Sequence, residues 1–438
     1  MRVLFVVPEA RGSGGGIHTF YRELLPALAR DHECHVLCGS ATEVVDAPSI
    51  EQDEYGVTYH SLDRERFVHY QQCFARYSAF PMLRNHLAAA WALHDIGLTL
   101  APDIVEACDW GLLFLPWVLE QTTPTVVQLH GSCGQIAYFD PILGDEVPAV
   151  LIQAIELASL PFAVDRLTCS SSNQAFWQKH LGMPVSLIKP ALKIFPNEYH
   201  RVIDQKFRVF GRFQRWKGID VMSKALSQLS ETSQVEWFGR DSAYGTSDKL
   251  STEAIQEKYP GVIGKKLLRH GPVPQTSVYK LQSSALANII PSGWDVFNFT
   301  VVEAMSSGRP VICSTGAGAS DLIEDGVSGL LFKAEDTESL INAMRRLESM
   351  TEESRMNLAS RAYDTVCELL NPEKIALERI AHFERCLTQP KAPLVSSWLR
   401  TWGAPDQPAT PDWQMLNQIP LKVLLSEAKQ RLWAKIFQ

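Results

Sequence analysis

Short apolar runs alternate with amphipathic segments along this chain, in two successive blocks. Residues 3–7 begin it in the first half, and residues 208–211 begin it again in the second. A continuous apolar run is typical of a parallel strand that is buried on both faces. Strands that alternate with helices favour a parallel, doubly wound sheet. The pattern therefore predicts an α/β chain with two doubly wound, Rossmann-like domains that face a central cleft, where ligands bind at the carboxyl ends of the strands.

The predicted boundaries follow from where the alternation stops and restarts. We expect a first domain over residues 1–195, a second over 204–385, and a Pro-rich tail with a C-terminal amphipathic helix over 386–438. The glycine-rich loop after the first strand should open a helix with Ile17, Phe20, Leu24 and Leu28 on one face, kinked by Pro26. The expected strands cover residues 3–7, 34–38, 104–107, 125–130, 167–169, 208–211, 235–239, 267–268, 285–290, 311–313 and 330–332.

Composition limits the classes of protein to which this chain can belong. The chain has 438 residues, 46% hydrophobic and 21% charged, which is ordinary globular usage. Its formal net charge of −8 argues against a general nucleic-acid binder. The nine scattered cysteines suit a reduced compartment, and Cys34 and Cys38 are expected in the core although histidines lie beside them. Without an apolar leader or a span-length apolar run, the expected location is the cytoplasm.

The tail helix leaves two alternatives open. Its apolar residues recur on one face, and its charges are Lys422, Lys429, Arg431 and Lys435 against Glu427, so 4 − 1 = +3. We expect this helix to dock on the protein's own surface. The alternative is a weak peripheral contact with an anionic membrane, with Trp433 and Phe437 as anchors.

Residues 291–313 carry the most specific chemistry. Asp295 and Glu303 are spaced as Asp-x7-Glu, on either side of a predicted helix start that follows a buried strand. Free N–H groups and the helix dipole attract anions to such a loop, whereas carboxylates there can accept hydrogen bonds from sugar hydroxyls. The segment therefore indicates a site for a phosphate-bearing sugar.

This segment resembles the retaining, nucleotide-sugar-dependent glycosyltransferases of the GT-B fold, family 4. Two positions depart from the family's pattern, because Asp295 stands where it usually has Glu and Asn298 where it usually has Gly. The matching positions are Pro291, Ser292, Phe297, Glu303, Ala304, Met305, Gly308, Pro310, Val311 and Ile312.

The resemblance implies a donor site in the second domain. Arg212 and Lys217 lie in a segment similar to the family's diphosphate-binding element, where a guanidinium fork and an ammonium group can hold a diphosphate. It implies further that the amides around Phe299 and Thr300 contact the diphosphate and that Glu303 binds the ribose. Gly239 and Val273 lie in turns that resemble the family's nucleoside-binding turns.

The first domain carries fewer matches. Glycines 12 and 14–16 form a loop similar to the family's N-terminal glycine loop, so Gly15 and Gly16 are expected at the donor phosphate and the acceptor. His130 follows a predicted strand, where the family commonly has a His that reaches the transferred sugar. Asp109, after another strand, is expected to line the acceptor side.

The sequence has no Asp-x-Asp, which many transferases use to hold a divalent metal ion. We therefore expect a metal-independent transferase that needs no cofactor besides its donor substrate. The resemblance implies retention, with Asp295 on a sugar hydroxyl and His130, Arg212 and Lys217 also in the catalytic set. The acceptor would be a hydroxyl of a saccharide, a lipid-linked sugar or a small molecule. A GT-B epimerase or phosphorylase, and a nucleotide-binding pseudo-transferase that acts as a partner subunit, are the alternatives.

Overall fold

The computed structural model describes residues 1–9, 15–139, 147–194, 204–229, 234–245, 249–389, 392–406 and 420–436. Part of the glycine loop, residues 12–14, lies outside the described residues, as do Pro196 and Asn197 at the predicted domain boundary. Pro408, Pro411 and Phe437 of the tail, and the side chain of Trp433, lie outside them too.

Two separate sheets confirm the predicted α/β fold. The first has eight strands in the order β3-β4-β2-β1-β5-β6-β7-β8, all parallel except the β3–β4 pair. The second has six parallel strands in the order β11-β10-β9-β12-β13-β14. Strand order reverses beside β1 in one sheet and beside β9 in the other, which is where doubly wound sheets bind ligands. The strands are β1 Arg2–Val7, β2 Glu33–Cys38, β3 Ile50–Gln52, β4 Thr58–Ser61, β5 Ile104–Cys108, β6 Thr125–Gln128, β7 Asp165–Thr168, β8 Ser186–Leu187, β9 Phe207–Phe210, β10 Val235–Phe238, β11 Leu267–His270, β12 Ala287–Ile290, β13 Val311–Ser314 and β14 Leu330–Phe332.

Helices cover both sheets and connect their parallel strands. In the first half they are α1 Gly16–Arg22, α2 Leu24–Leu28, α3 Arg64–Cys73, α4 Pro81–Leu98, α5 Leu115–Glu120, α6 Cys133–Phe139, α7 Val147–Ser159 and α8 Ser171–Leu181. In the second half they are α9 Ile219–Gln228, α10 Ser251–Lys258, α11 Gln275–Ser283, α12 Phe299–Ser306, α13 Thr337–Glu348, α14 Glu352–Leu369, α15 Pro372–Thr388, α16 Ser397–Gly403 and α17 Leu421–Ile436.

Every predicted strand has a counterpart, and the sequence missed three others. β3 is exposed and three residues long, β4 carries polar residues, and β8 has two residues. Such short segments, at the edges of the sheet or next to an edge, lack the apolar run that marks a buried strand. The expected kinked helix is two helices that break at Glu23, because the ring of Pro26 clashes with the carbonyl four residues earlier, that of Arg22.

The chain returns to the first domain after the second sheet. We predicted helix α15 as part of the second domain, but Phe383 and Cys386 share a core with β1, and Arg379 reaches β5. The tail is not wholly loop-like either, since α16 buries Leu399 against the first domain. The Trp91 indole donates to the carbonyl of Gly403 in the same helix at 2.7 Å. Helices α15 and α16 therefore pack against the first domain, although they follow the second domain in the sequence.

The expected docking of α17 is not what the structure shows. Four of its apolar side chains, Leu421, Val423, Leu425 and Leu432, are exposed. Their hydrophobic face therefore has no cover from the described part of the chain. None of the described helices is both long and apolar enough to cross a membrane.

Direct contacts join the two domains beside the cleft. The Ser170 hydroxyl donates to the carbonyl of Val296 at 2.5 Å, and the amide of Ser171 donates to Asp321 Oδ2 at 2.5 Å. The rings of Phe139 and Trp294 stack with their centroids 4.4 Å apart. Trp294 and Val296 are the sequence neighbours of Asp295, so their contacts help to fix how the first domain faces that carboxylate.

Candidate donor-sugar site

A cleft of about 630 Å³ lies between the carboxyl ends of the two sheets. Glycines 15 and 16 border it at the start of α1, Gly239 at the end of β10, and Val273 in the turn after β11. Among the described residues, the structure thus brings the predicted site residues to one place, with the exception of Asp109. The residues of the prediction that line the cleft are Gly15, Gly16, His130, Arg212, Lys217, Gly239, Val273, Asp295, Phe299, Thr300 and Glu303.

Two cations reach the cleft from the loop that follows β9. Arg212 lines it directly, and Lys217 ends the short helix Arg215–Lys217. Gly218 follows with φ = 87°, and a Cβ there would lie 1.8 Å from the carbonyl oxygen of Pro291. Only glycine fits such a close approach in this conformation. The loop is therefore pressed against the segment that carries Asp295.

That approach produces an ion pair within the cleft. The Lys217 ammonium contacts Asp295 Oδ2, and the two side chains are 22% and 23% exposed. The sequence placed these residues at two ends of one ligand, on a diphosphate and on a sugar. The structure shows that they also neutralise each other.

Asn298 explains how the segment departs from the family's Gly without losing its shape. Its φ of 71° is left-handed, which Asn tolerates better than most residues. The side chain accepts a hydrogen bond from the Thr300 amide at 3.2 Å and donates to Ser292 Oγ at 3.0 Å. Asn298 therefore caps helix α12 with its own oxygen, and one of the two amides expected on a diphosphate already has a partner.

Glu303 lies one turn into α12 and borders the cleft. Gln275, at the start of α11, donates its amide to Glu303 Oε1 at 2.9 Å. Burial raises the pKa of Glu303, and the hydrogen bond from Gln275 partly opposes that shift. Gln275 was not predicted, because 28 residues separate it from its partner.

His130 is held in place by a buried carboxylate that we had expected at the acceptor. Asp109 is fully buried and accepts from the His130 amide at 2.9 Å and the Gly131 amide at 3.2 Å. Burial raises the pKa of Asp109 to about 7, although these hydrogen bonds act to lower it. Asp109 is therefore wrong as an acceptor contact: it fixes the loop that carries His130.

A second buried acid holds the continuation of this loop. Glu156 of α7 accepts from the Ser132 hydroxyl at 2.7 Å and the Gly134 amide at 3.2 Å. Burial raises the pKa of Glu156 to about 8, although the Ser132 hydrogen bond favours its charged form. Sequence reasoning missed Glu156, since a single acid in an apolar helix has no distinguishing spacing.

An aromatic stack borders the donor side. Phe210 and Phe238, at the ends of β9 and β10, stack 5.1 Å apart, and His270 stacks on Phe238 at 4.6 Å. Both phenylalanines line the cleft. Parallel strands bring these three sequence-distant rings together at one edge of the sheet.

Among the described residues, one group of three could hold a metal ion, and it lies outside this cleft. Asp165, His382 and Cys386 are all buried between β7 and α15. The His382 Nε2 atom lies 3.3 Å from Asp165 Oδ2. Burial and the charges of Arg379 and Arg385 lower the pKa of His382. These cations would also repel a metal ion, and a contact between a neutral His382 and Asp165 accounts for the group without one.

Two Rossmann-like domains with a cleft between them define the GT-B architecture, and solved structures share it. Sucrose-phosphate synthase from Thermosynechococcus elongatus has a TM-score of 0.66 at 18% identity, over 88% of this chain and 99% of that one. HepE from Anabaena, solved in complex with UDP, has a TM-score of 0.62 at 17% identity, over 88% and 100% of the two chains.

Sequence relatives narrow the class to a family. Residues 200–365 match the family described as glycosyl transferases group 1. A D-inositol 3-phosphate glycosyltransferase of Thermobifida fusca is 25% identical over 77% of this chain and 81% of its own length. A second such enzyme, of Catenulispora acidiphila, is 27% identical over 57% of this chain and 66% of its own length. The family match in the second half, the sequence relatives and the shared fold together support a group 1 glycosyltransferase of the GT-B fold that uses a nucleotide-diphosphate sugar.

Proposed function

We propose that this protein transfers a sugar from a nucleotide-diphosphate sugar to a hydroxyl acceptor, with retention at the anomeric carbon and without a resident metal ion. One observation carries the proposal: Arg212, Lys217, Asp295 and Glu303 meet in a single cleft at the carboxyl ends of the strands. Two cations suit a diphosphate, and two carboxylates suit hydroxyl groups.

The hard step is departure of the nucleotide diphosphate while the sugar becomes oxocarbenium-like. Arg212 and Lys217 can stabilise the charge that develops on the leaving oxygen. Each charge-assisted hydrogen bond contributes about 1.5–3 kcal/mol. Lys217 must divide its ammonium group between the phosphate and Asp295, whereas no described residue forms an ion pair with Arg212. Arg212 is thus the stronger candidate for stabilising the charge on the leaving diphosphate.

The remaining groups would orient the donor. Glu303 offers Oε2 to the ribose diol while Gln275 holds Oε1. Asp295 would accept from a sugar hydroxyl, and His130 would contact the same sugar from the first domain. For retention, the acceptor hydroxyl attacks the face that the diphosphate leaves, and the departing phosphate oxygen accepts its proton. UDP is the first nucleotide to test, because HepE binds it.

The proposal is tested by turnover and product stereochemistry. Arg212→Ala and Lys217→Ala should each reduce kcat by roughly 10²–10³-fold if they stabilise the leaving charge. Arg346→Ala is the matched control, because Arg346 pairs with Asp325 on the exposed surface of the same domain. NMR of the product should show the donor's anomeric configuration, and activity should survive EDTA.

Three outcomes would overturn parts of this proposal. Near wild-type kinetics in both cleft variants would remove the two cations from the site. An inverted product would exclude the same-face step. Loss of activity with EDTA that Mn²⁺ restores would contradict the assignment of the leaving charge to protein cations. A protein that binds UDP yet neither transfers nor hydrolyses any donor sugar would be a pseudo-transferase.

A further inference from the structure

A buried series of polar contacts leads from helix α15 to His130. Arg379 of α15 donates to Glu106 Oε2 at 2.5 Å and to Gln128 Oε1 at 3.0 Å. The Tyr21 hydroxyl lies 2.7 Å from Glu106 Oε1, and His130 Nε2 lies 3.4 Å from the same hydroxyl. Arg379 and Glu106 are completely buried. Nothing in the donor site itself requires such a costly buried ion pair.

The donors and acceptors in this series of contacts allow one arrangement of the hydrogen-bonding protons. Glu106 faces the guanidinium of Arg379 as an ion pair, and a carboxylate only accepts hydrogen bonds. The Tyr21 hydroxyl has one proton and must donate it to Glu106. Burial and the charge of Glu106 raise the pKa of Tyr21, so the phenol keeps that proton. The Tyr21 oxygen can therefore only accept from His130 Nε2.

The histidine is neutral. Burial, with a smaller effect of Arg379, lowers the pKa of His130 to about 3. A neutral imidazole carries one proton, and the other nitrogen is an acceptor. Phe20 supports the ring from the side: its centroid lies 4.6 Å from that of His130, and the Arg379 guanidinium lies 5.3 Å from the Phe20 ring. Arg379 is thus linked to His130 in two ways, through the hydrogen bonds of Glu106 and Tyr21 and through the ring of Phe20.

We propose that Tyr21, Glu106 and Arg379 are positioning residues that hold His130 as the Nε2–H tautomer and leave Nδ1 as an acceptor for a hydroxyl of the transferred sugar. No described residue hydrogen-bonds Nδ1, and His130 borders the cleft. The donor sugar must then carry a free hydroxyl at the position that meets Nδ1. The sugar contact rests on the proposed function, whereas the tautomer does not.

The tautomer is measured directly by two-bond 1H–15N correlations of the full chain labelled with 15N-histidine. His130→Asn identifies the signals of His130. We expect the wild-type ring to be protonated at Nε2, and Tyr21→Phe to shift population toward the Nδ1–H form. Tyr77→Phe is the matched control, because it removes another buried hydroxyl that does not line the cleft. That hydroxyl donates to the Trp402 carbonyl, and the hydrogen bond is 2.8 Å long.

Kinetics then connect the tautomer to the sugar. Tyr21→Phe should lower kcat about tenfold and leave the Kd for free UDP unchanged, since that ligand lacks the sugar. Glu106→Gln combined with Arg379→Met removes both buried charges together and should give the same mixed tautomer. A wild-type ring protonated at Nδ1, or an unchanged ring in Tyr21→Phe, would overturn the inference. If His130→Asn turns over normally, the sugar contact fails while the tautomer measurement still stands.

Discussion

The ammonium group of Lys217 and the carboxylate of Asp295 form an ion pair in the lining of the cleft. The pair joins the loop that follows β9 to the Asp-x7-Glu segment across 78 residues of sequence. Removing the carboxylate would release Lys217, whereas removing the ammonium would leave Asp295 without its partner. The two residues that we propose for opposite ends of the donor therefore depend on each other even without a ligand.

Asp295→Asn should hold or improve the affinity for free UDP and lower turnover. The freed Lys217 can give its full charge to the diphosphate, but the sugar loses a charged hydrogen bond of about 1.5–3 kcal/mol. Calorimetry with UDP and steady-state kinetics with the donor measure the two effects. Asp325→Asn, which breaks the surface pair with Arg346, is the control. Weaker UDP binding in Asp295→Asn would show that the carboxylate, and not Lys217 alone, contacts the nucleotide.

Glu303 should make UDP binding depend on pH. Its carboxylate can accept from both ribose hydroxyls, whereas the protonated form accepts less well. Because burial raises the pKa of Glu303, affinity should fall on acidification at a higher pH than for an ordinary glutamate. Glu303→Gln should bind more weakly and lack this component. The ratio of the two dissociation constants removes the titration of the nucleotide's own phosphate, and a ratio constant from pH 4 to 8 would exclude Glu303 from the ribose.

Glu156→Gln should stabilise the protein at high pH. The pKa of Glu156 is about 8 when folded and about 4.3 when unfolded. The folded state therefore holds the proton longer, and the wild type loses stability as pH rises from about 4 to 8. Glutamine can keep the Ser132 and Gly134 contacts without ionising.

The difference between variant and wild type should grow by about 1.4 kcal/mol for each unit of pKa shift realised. Urea unfolding at pH 5 and pH 9 measures it. Glu257→Gln, on an exposed pair with Lys249, should change little at either pH. A Glu156→Gln protein that is equally destabilised at both values would mean that the carboxylate is not buried as a protonated acid.

Asn298→Gly and Asn298→Ala should behave differently. Both variants lose the hydrogen bond to Ser292 Oγ. Glycine adopts the left-handed conformation freely, and its loss of the cap costs a further few tenths of a kcal/mol. Alanine must also adopt positive φ, at about 1–2 kcal/mol more. Asn298→Gly also frees the Thr300 amide, so UDP affinity should hold or rise. Thermal unfolding and calorimetry separate the two effects, and equal stability of both variants would contradict the role of φ.

The sequence by itself determined the class of fold and the residues that line the donor side of the cleft. Continuous apolar strands specify buried parallel sheets, and the Asp-x7-Glu segment with Arg212 and Lys217 lies within local strand–loop–helix units. Such features depend on neighbours within about ten residues. Pattern and spacing therefore carry them, and the structure needs only to bring the two units face to face.

Tertiary structure alone decided the partners that set the chemistry of those residues. Arg379 meets Glu106 across 273 residues, and Gln275 meets Glu303 across 28. Asp109 follows a strand just as a ligand-binding acid would, yet it points into the protein and not into the cleft. Burial and ion pairing are properties of surroundings assembled from distant segments, and no local pattern encodes the direction in which a single buried acid or base faces.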